Sequence, residues 1–408
     1  MSMKQKLAVV ATAVGLLFLT PAGASAVVAP FEVGSVSANG STPVGSNGAG
    51  ERVGLIGAAD LDFHRINLSW ISVYGTSDGH ADTTQPGAAS DCATYGGGAT
   101  GSNTFWCAMD SYVDRIADQG LRINPVLYGA PSVYRAPGET RVASTAAAQS
   151  AWTGFVALAI SRYGQDGSYW NLTGRGGGAF DMTGFEVWNE PNLAQFWDNN
   201  ASDSATTDAD EYIQLLNAAA DGRDYVASAK PKTMLVAPSW TPAGGTLADQ
   251  WLNRFANAGP HGRYERVSVH PYGISAATVR NKLQQVRTTL PVKKMWATEQ
   301  GFGVGCVSGF SGYSFYPQAE TNCDSPGSRT ATQLANHEAA QRDEQQELFN
   351  EVADNEPYVE SWTYYELLDD STNPDDPTGF MRFGAYGLRS DGTTYSRPML
   401  NLLQVRAG

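Results

Sequence analysis

Between residues 31 and 405, short β-type runs alternate with longer stretches of helical spacing, and the alternation repeats eight times. The strand candidates are Phe31–Ser37, Phe63–Trp70, Arg122–Tyr128, Gly184–Trp188, Thr233–Ala237, Arg266–Val269, Lys294–Thr298 and Val359–Tyr364. Each is followed by a helical pattern: Gly50–Leu61, Asp110–Gln119, Ala146–Arg162, Asp208–Ala229, Leu247–Ala258, Ala276–Leu290, Ala331–Asp354 and Pro398–Val405. Stop signals fall where helices should end, with Gly120 after the second, Pro231 after the fourth and Gly259-Pro260 after the fifth. Strict alternation implies parallel strands, because a crossover helix is needed to return the chain to the start of the next strand. Eight units predict a closed (β/α)8 TIM barrel in one domain, with any active site at the carboxyl ends of the strands. An open doubly wound sheet is the alternative, but no Gly-x-Gly-x-x-Gly follows the first strand and no P-loop lysine is present.

Residues 1–26 are expected to lie outside this barrel. Lys4 and Lys6 precede an apolar run from Leu7 to Thr20, and Ala24-Ser25-Ala26 forms a small-x-small cleavage signal. The run is too short to span a bilayer comfortably. A signal peptide cleaved after Ala26 and a secreted protein are predicted, with residues 27–408 forming the barrel domain. That is well above the roughly 250 residues of a typical barrel, and the excess is assigned to loops at the catalytic face, where 44 Gly and 20 Pro find their use. Basic residues number 27 against 41 acids, a net charge of −14, which argues against a nucleic-acid partner. No segment after the leader has the uninterrupted apolar length of a membrane span, so no membrane partner is expected.

Four cysteines remain, at 92, 107, 306 and 323. In an exported chain their spacing suggests disulfides Cys92–Cys107 and Cys306–Cys323, with other pairings open. Each would stabilise by roughly 3 kcal/mol on a chain-entropy account. Both pairs sit in Gly-, Ser- and Thr-rich stretches after the second and seventh strands, and are expected to staple long loops over the catalytic face. Metal binding is the weaker reading of these cysteines, since no Cys-x-x-Cys or His cluster accompanies them.

Two carboxylates stand out by position. Glu190 follows the fourth strand in Phe185-Glu186-Val187-Trp188-Asn189-Glu190-Pro191-Asn192, and Glu299 ends the seventh in Met295-Trp296-Ala297-Thr298-Glu299. A lone acid on a loop is usually a solvated charge, but a Glu set among Trp, Asn and Pro at a strand end fits that description poorly. The fourth and seventh strands lie across a barrel from one another, so both glutamates can face one cleft. Hydrolysis of an acetal needs such a pair, one carboxyl to protonate the leaving oxygen and one to attack or to activate water. Glu186 has the parity of Glu190 and is read as a barrel-interior charge paired with an arginine. Trp70, Trp188, Trp197 and Trp240 are open between core and site.

Trp188-Asn189-Glu190-Pro191 with the distant Thr298-Glu299-Gln300-Gly301 resembles the retaining glycoside hydrolases of clan A. Gly129-Ala130-Pro131, Arg162-Tyr163-Gly164 and Trp170 are similar to family 39 and related members. The resemblance covers residues 27–408. It implies that Glu190 is the acid/base and Glu299 the nucleophile of a double displacement that needs no cofactor. It implies further that Asn189 binds the sugar 2-hydroxyl, that Arg65 keeps Glu299 ionised, that His270 and Tyr272 orient Glu299 or contact substrate, and that Trp362 is a stacking floor for the sugar ring. No metal site is expected.

Other motifs are weaker. His337-Glu338 starts like a zincin helix, but position 341 is Gln; Asp369, Asp370, Asp375 and Asp376 lack EF-hand spacing; no Gly-x-Ser-x-Gly elbow appears. The family resemblance points to xylose- or arabinose-containing or other neutral glycans, taken as oligosaccharide or polysaccharide by a monomer. The chain ends soon after the eighth helix, without the appended β-sandwich usual in family 39 xylosidases, which leaves an endo-acting β-glycanase as the alternative. Transglycosylation shares the same intermediate. A non-catalytic carbohydrate-binding barrel is the rival from another class, and both glutamates being present weighs against it. The acidic balance mildly disfavours polyanionic glycans, although Arg65, Arg135 and Arg382 could accommodate one carboxylate.

Overall fold

The structure is a computed structural model that describes residues 32–36, 49–73, 104–135, 137–197, 204–228, 230–243, 245–273, 275–291, 293–303, 331–368, 384–388 and 394–407. The predicted signal peptide, Cys92, Cys306, Cys323, the acidic run 369–376 and Arg382 lie outside these residues, as does the side chain of Cys107. The expected disulfide staples and the loops carrying them therefore have no structural counterpart here. Cys107 lies within a helix that starts at Thr104, six residues before the predicted start, rather than on a loop.

The chain runs β1 (Glu32–Val36), α1 (Ala49–Ala58), β2 (Phe63–Ser69), α2 (Trp70–Val73), α3 (Thr104–Ala117), β3 (Arg122–Tyr128), α4 (Ala146–Tyr163), α5 (Ser168–Leu172) and β4 (Gly184–Val187). It continues α6 (Ala205–Val226), β5 (Met234–Val236), α7 (Thr246–Ala258), β6 (Val267–Val269), α8 (Ala276–Thr289), β7 (Met295–Gln300), α9 (Ala331–Asn355), β8 (Val359–Tyr365), β9 (Tyr386–Leu388), β10 (Thr394–Ser396) and α10 (Pro398–Ala407). The eight predicted strand–helix units are all present. The short α2 and α5 and the antiparallel pair β9–β10 were not expected, being only a few residues each.

Eight strands form one parallel sheet in the order β5-β4-β3-β2-β1-β8-β7-β6. The two edges meet through parallel bridges Val236↔Arg266 and Trp240↔Val269, so that the sheet wraps into a barrel. Helices pack on the outside of this sheet, α3 against β3 and α10 against β1 among them, and strands buried on both faces must be apolar or internally paired throughout. Glycine allows the close approaches inside: a Cβ on Gly34 would collide with the Phe63 ring, and one on Gly184 with the Trp296 ring.

Helix starts follow side-chain chemistry. Thr145, Ser204 and Ser275 each accept a backbone N–H from the first turn of α4, α6 and α8. Gly259 closes α7 in a left-handed conformation at φ 70°.

The Arg162-Tyr163-Gly164 motif proves structural. Arg162 is buried and pairs with Asp110 of α3 through Nε at 2.8 Å and through Nη2. The Tyr163 hydroxyl donates to the same carboxylate at 2.6 Å, and Trp170 Nε1 donates to the Tyr163 carbonyl at 2.7 Å. The guanidinium lies over Trp106, Tyr163 and Tyr169, so this cluster rivets α3, α4 and α5 together away from the strand ends. His337 and Glu338 are likewise buried in α9, where Glu338 pairs with Arg397 at 3.2 Å and accepts from the Tyr395 hydroxyl at 2.7 Å. Among the described residues, no helix is long and apolar enough to cross a membrane.

Candidate active site

The register of the barrel decides which side chains meet. Val36 pairs with Arg65 on one side and with Tyr365 on the other, so these three face the same way, into the barrel. Val126 pairs with Glu186, which in turn pairs with Val236. Arg65 and Glu186 thus enter from opposite flanks of β3, and both are buried.

After β4 the chain turns sharply. Trp188 (φ 67°) and Glu190 (φ 42°) both occupy the left-handed region, which costs a non-glycine residue of order 1–3 kcal/mol and persists only when surroundings enforce it. The enforcement is visible. Trp188 points away from the cleft and packs among Tyr128, Trp152 and Trp197, with its Nε1 donating to the Phe196 carbonyl at 2.8 Å. Asn192 clamps the loop after β5 by donating to the Thr241 carbonyl and accepting the Thr241 N–H. This anchoring leaves Asn189 and Glu190 directed at the barrel mouth. Trp70, Trp188, Trp197 and Trp240 are all core residues.

Arg65 sits at the centre. Its Nε donates to Glu186 Oε2 at 2.7 Å, Nη1 to Glu299 Oε2 at 3.1 Å and Nη2 to Asn189 Oδ1 at 3.0 Å. Glu299 also accepts the Tyr272 hydroxyl at 2.6 Å through Oε1. His270 Nδ1 lies 2.9 Å from Glu190 Oε1, and 3.8 Å from Glu299 Oε2. His270 therefore attends Glu190, while Tyr272 attends Glu299. The other imidazole nitrogen faces Ser239 Oγ at 3.3 Å.

These contacts set the protonation pattern. Burial would raise the Glu186 carboxyl, but Arg65, His270 and the Thr298 hydroxyl overcome it and hold the group down at about 2. Burial would lower His270, yet the charge of Glu299 and hydrogen bonds to Glu186 and Glu190 lift it to about 9. Burial raises Glu190 above the usual carboxylate value; the His270 hydrogen bond opposes the rise and the neighbouring Glu299 charge adds to it. Two cations, Arg65 and His270, thus face three carboxyls. Neutrality is met when one carboxyl keeps its proton, and Glu190 is the one whose surroundings favour that.

Glu190, His270 and Glu299 each bring one ligand-type atom within 4.8 Å of the others, a spacing compatible with a metal ion. The donors are already committed, however. His270 is cationic below about 9, and both Glu299 oxygens are engaged by Arg65 and Tyr272. The cationic place is filled by protein groups, and the set fits a metal poorly.

Of the seven residues expected from sequence, Glu190, Glu299, Arg65, Asn189, His270 and Tyr272 converge. Trp362 does not. It is fully buried and meets Phe349 of α9 edge-on at 5.6 Å, which places it on the outer face of β8. Tyr365 takes the inward position, with its ring 6.2 Å from Tyr272 at a near-perpendicular angle. Its signal was its alignment with Arg65 through Val36, which no single strand reveals. Glu186, read as a paired interior charge, is paired with Arg65 as expected.

Residues 184–379, which contain Glu186, Glu190, His270, Tyr272 and Glu299, match the family described as Glycosyl hydrolase catalytic core. No curated protein sequence matches the chain. Among solved structures, a family 39 glycoside hydrolase from Bacteroides cellulosilyticus WH2 aligns with TM-score 0.56 at 17% identity over 94% of this chain. The chain spans 64% of the length of that protein. A family 39 β-xylosidase from Caulobacter crescentus aligns at TM-score 0.55 and 16% identity, over 92% of this chain and 70% of the other. A family 10 endoxylanase from a sugarcane soil metagenome aligns at TM-score 0.53 and 13% identity, over 92% of this chain and 97% of the other. At such identities the likeness is one of fold. The stretch from β4 to β8 thus matches a glycosyl hydrolase catalytic core, set on a barrel whose fold is similar to those of family 39.

Proposed function

We propose that the chain is a secreted glycoside hydrolase that cleaves neutral glycans bearing xylose or arabinose by double displacement with retention at the anomeric carbon. The observation that carries the mechanism is the Glu190–Glu299 pair. An oxygen of one lies within 4.8 Å of an oxygen of the other. Retaining enzymes hold their carboxyls roughly 5–5.5 Å apart, whereas inverting enzymes need about 6.5–9.5 Å to admit a water.

Protonated Glu190 donates to the leaving glycosidic oxygen while Glu299 attacks the anomeric carbon, and the aglycone departs as an alcohol. Arg65 and Tyr272 hold both Glu299 oxygens, so attack requires little reorganisation of the nucleophile. The ester to Glu299 then yields to water, which Glu190, now a carboxylate, deprotonates. Asn189 accepts from Arg65 through Oδ1, which turns its amide N–H groups toward a sugar hydroxyl. Tyr365, edge-on to Tyr272, supplies the aromatic surface first assigned to Trp362. The structural neighbours named as a xylosidase and an endoxylanase, and the net charge of −14, support a neutral pentose-bearing substrate.

Proton NMR of the first product from an aryl β-xyloside tests the mechanism. The expected product has the anomeric configuration of the substrate, and an inverted first product overturns it. Glu299→Gln is expected to abolish turnover with the fold intact. In a polysaccharide digest, early monosaccharide means exo action and a ladder of oligomers means endo action.

A further inference from the structure

Glu186 touches neither catalytic carboxyl by hydrogen bond, yet it meets Arg65 and His270, which do. Oε2 accepts from Arg65 Nε at 2.7 Å. Oε1 accepts from Ser239 Oγ at 2.8 Å and from Thr298 Oγ1 at 2.6 Å, and lies 3.8 Å from His270 Nε2. Two strands, β2 and β7, and the turns after β5 and β6 thus converge on one buried carboxylate of β4. Ser239 is itself held there, in the left-handed region at φ 59°, by its N–H donating to Ser268 Oγ at 2.7 Å. Thr298 immediately precedes Glu299, and Ser239 also faces His270.

We propose that Glu186 is a positioning residue of this site: a fixed anion that aims Arg65 at Glu299 and His270 at Glu190, and so determines that the proton of the pair resides on Glu190. The proposal rests on the assignment of Glu190 as acid and Glu299 as nucleophile. Without the Glu186 charge, Arg65 and His270 are balanced by Glu190 and Glu299 alone, and the Glu190–His270 pair no longer needs its second proton. The pair then titrates as a unit at lower pH. The groups facing it are Arg65 from β2, Tyr128 from β3, Glu186 from β4, Tyr272 after β6 and Glu299 from β7; all but Glu186 are unchanged in the comparison.

The test is the pH dependence of kcat/KM on an aryl xyloside for wild type, Glu186→Gln and Glu186→Asp. In Glu186→Gln the alkaline limb is expected to move down by about one pH unit or more, the size of shift one adjacent charge produces in a buried site. Glu186→Asp keeps the charge but shortens the reach, so its limb is expected to stay in place while kcat falls. A folded Glu186→Gln whose limb coincides with that of wild type overturns the proposal, since a purely structural role lowers activity without moving the limb. Should Glu186→Gln fail to fold, carbon-13 NMR of wild type labelled at glutamate carboxyls decides the matter. Glu186 is expected to stay ionised across the whole active pH range, and titration together with activity overturns the fixed-anion role. Failure of the underlying assignment reads differently: the wild-type product would be inverted, or Glu299→Gln would remain active.

Discussion

The Tyr272 hydroxyl donates to Glu299 Oε1 at 2.6 Å, while the opposite oxygen of the same carboxylate is held by Arg65 at 3.1 Å. Glu299 is thus oriented from two sides, by Arg65 of β2 and by Tyr272 of the turn after β6. A hydrogen bond to a charged group is worth about 1.5–3 kcal/mol. Tyr272→Phe is therefore expected to lower kcat roughly 10- to 100-fold, with a thermal midpoint close to wild type, as steady-state kinetics and a melt on the same preparation would show.

The proposed acid role of Glu190 predicts a dependence on leaving group. Glu190→Gln cannot donate a proton, so hydrolysis of a p-nitrophenyl or unsubstituted phenyl glycoside should fall by about 10²–10⁴-fold. A dinitrophenyl glycoside needs little acid assistance, and its first step should be far less affected. Equal losses on both substrates would exclude the role.

Trp362 and Tyr365 can be separated by experiment. Trp362→Phe removes volume behind β8 against Phe349, and is expected to cost about 1–3 kcal/mol in a urea melt with KM unchanged. Tyr365→Ala removes a ring beside Tyr272, and should raise KM several-fold with a smaller loss of stability. The reverse pattern would restore Trp362 to the site.

Two histidines give stability opposite slopes with pH. His270, lifted to about 9, contributes stability that is complete below the ordinary value of 6.5 and is lost as pH rises through 9. His64 is pushed down by burial to about 3, so the unfolded chain takes up its proton first and stability falls as pH drops from 6.5 toward 3. The thermal midpoint should therefore peak near 6.5, the point at which both contributions turn. His64 faces Ser35 Oγ at 2.9 Å; His64→Asn, which does not titrate, should flatten the acid side of a melting series and leave the alkaline side unchanged.

Asp110 and Arg162 carry a different load. Removing one partner of a buried ion pair leaves a charge without compensation, at about 3–5 kcal/mol. Asp110→Asn should lose stability of that order by denaturant titration while KM of the folded enzyme stays near wild type, because the cluster joins α3 to α4 and α5 rather than entering the cleft.

The barrel was legible in the sequence because strand–helix alternation is a local signal repeated eight times, with stop residues such as Gly259 marking its beats. Glu190 and Glu299 were legible for a related reason, since the ends of strands in such a barrel share one mouth. The Arg162-Tyr163-Gly164 motif was visible as residues, but its partner Asp110 lies 52 positions away, and only folding brings the two together.

What sequence alone determined, then, was the architecture and the two carboxyls on which the proposed chemistry depends. Tertiary structure decided the facing of β8 and the wiring beneath the carboxyls. Val359-Glu360-Ser361-Trp362-Thr363-Tyr364-Tyr365 is largely buried on both faces, so no polar alternation marks the inward side, and irregular pairing with β7 breaks simple counting. Trp362 and Tyr365 could be told apart only by register. Glu186 likewise meets Arg65, Ser239 and Thr298 from separate strands, and its charge acquires meaning from the cations that a closed barrel sets around it.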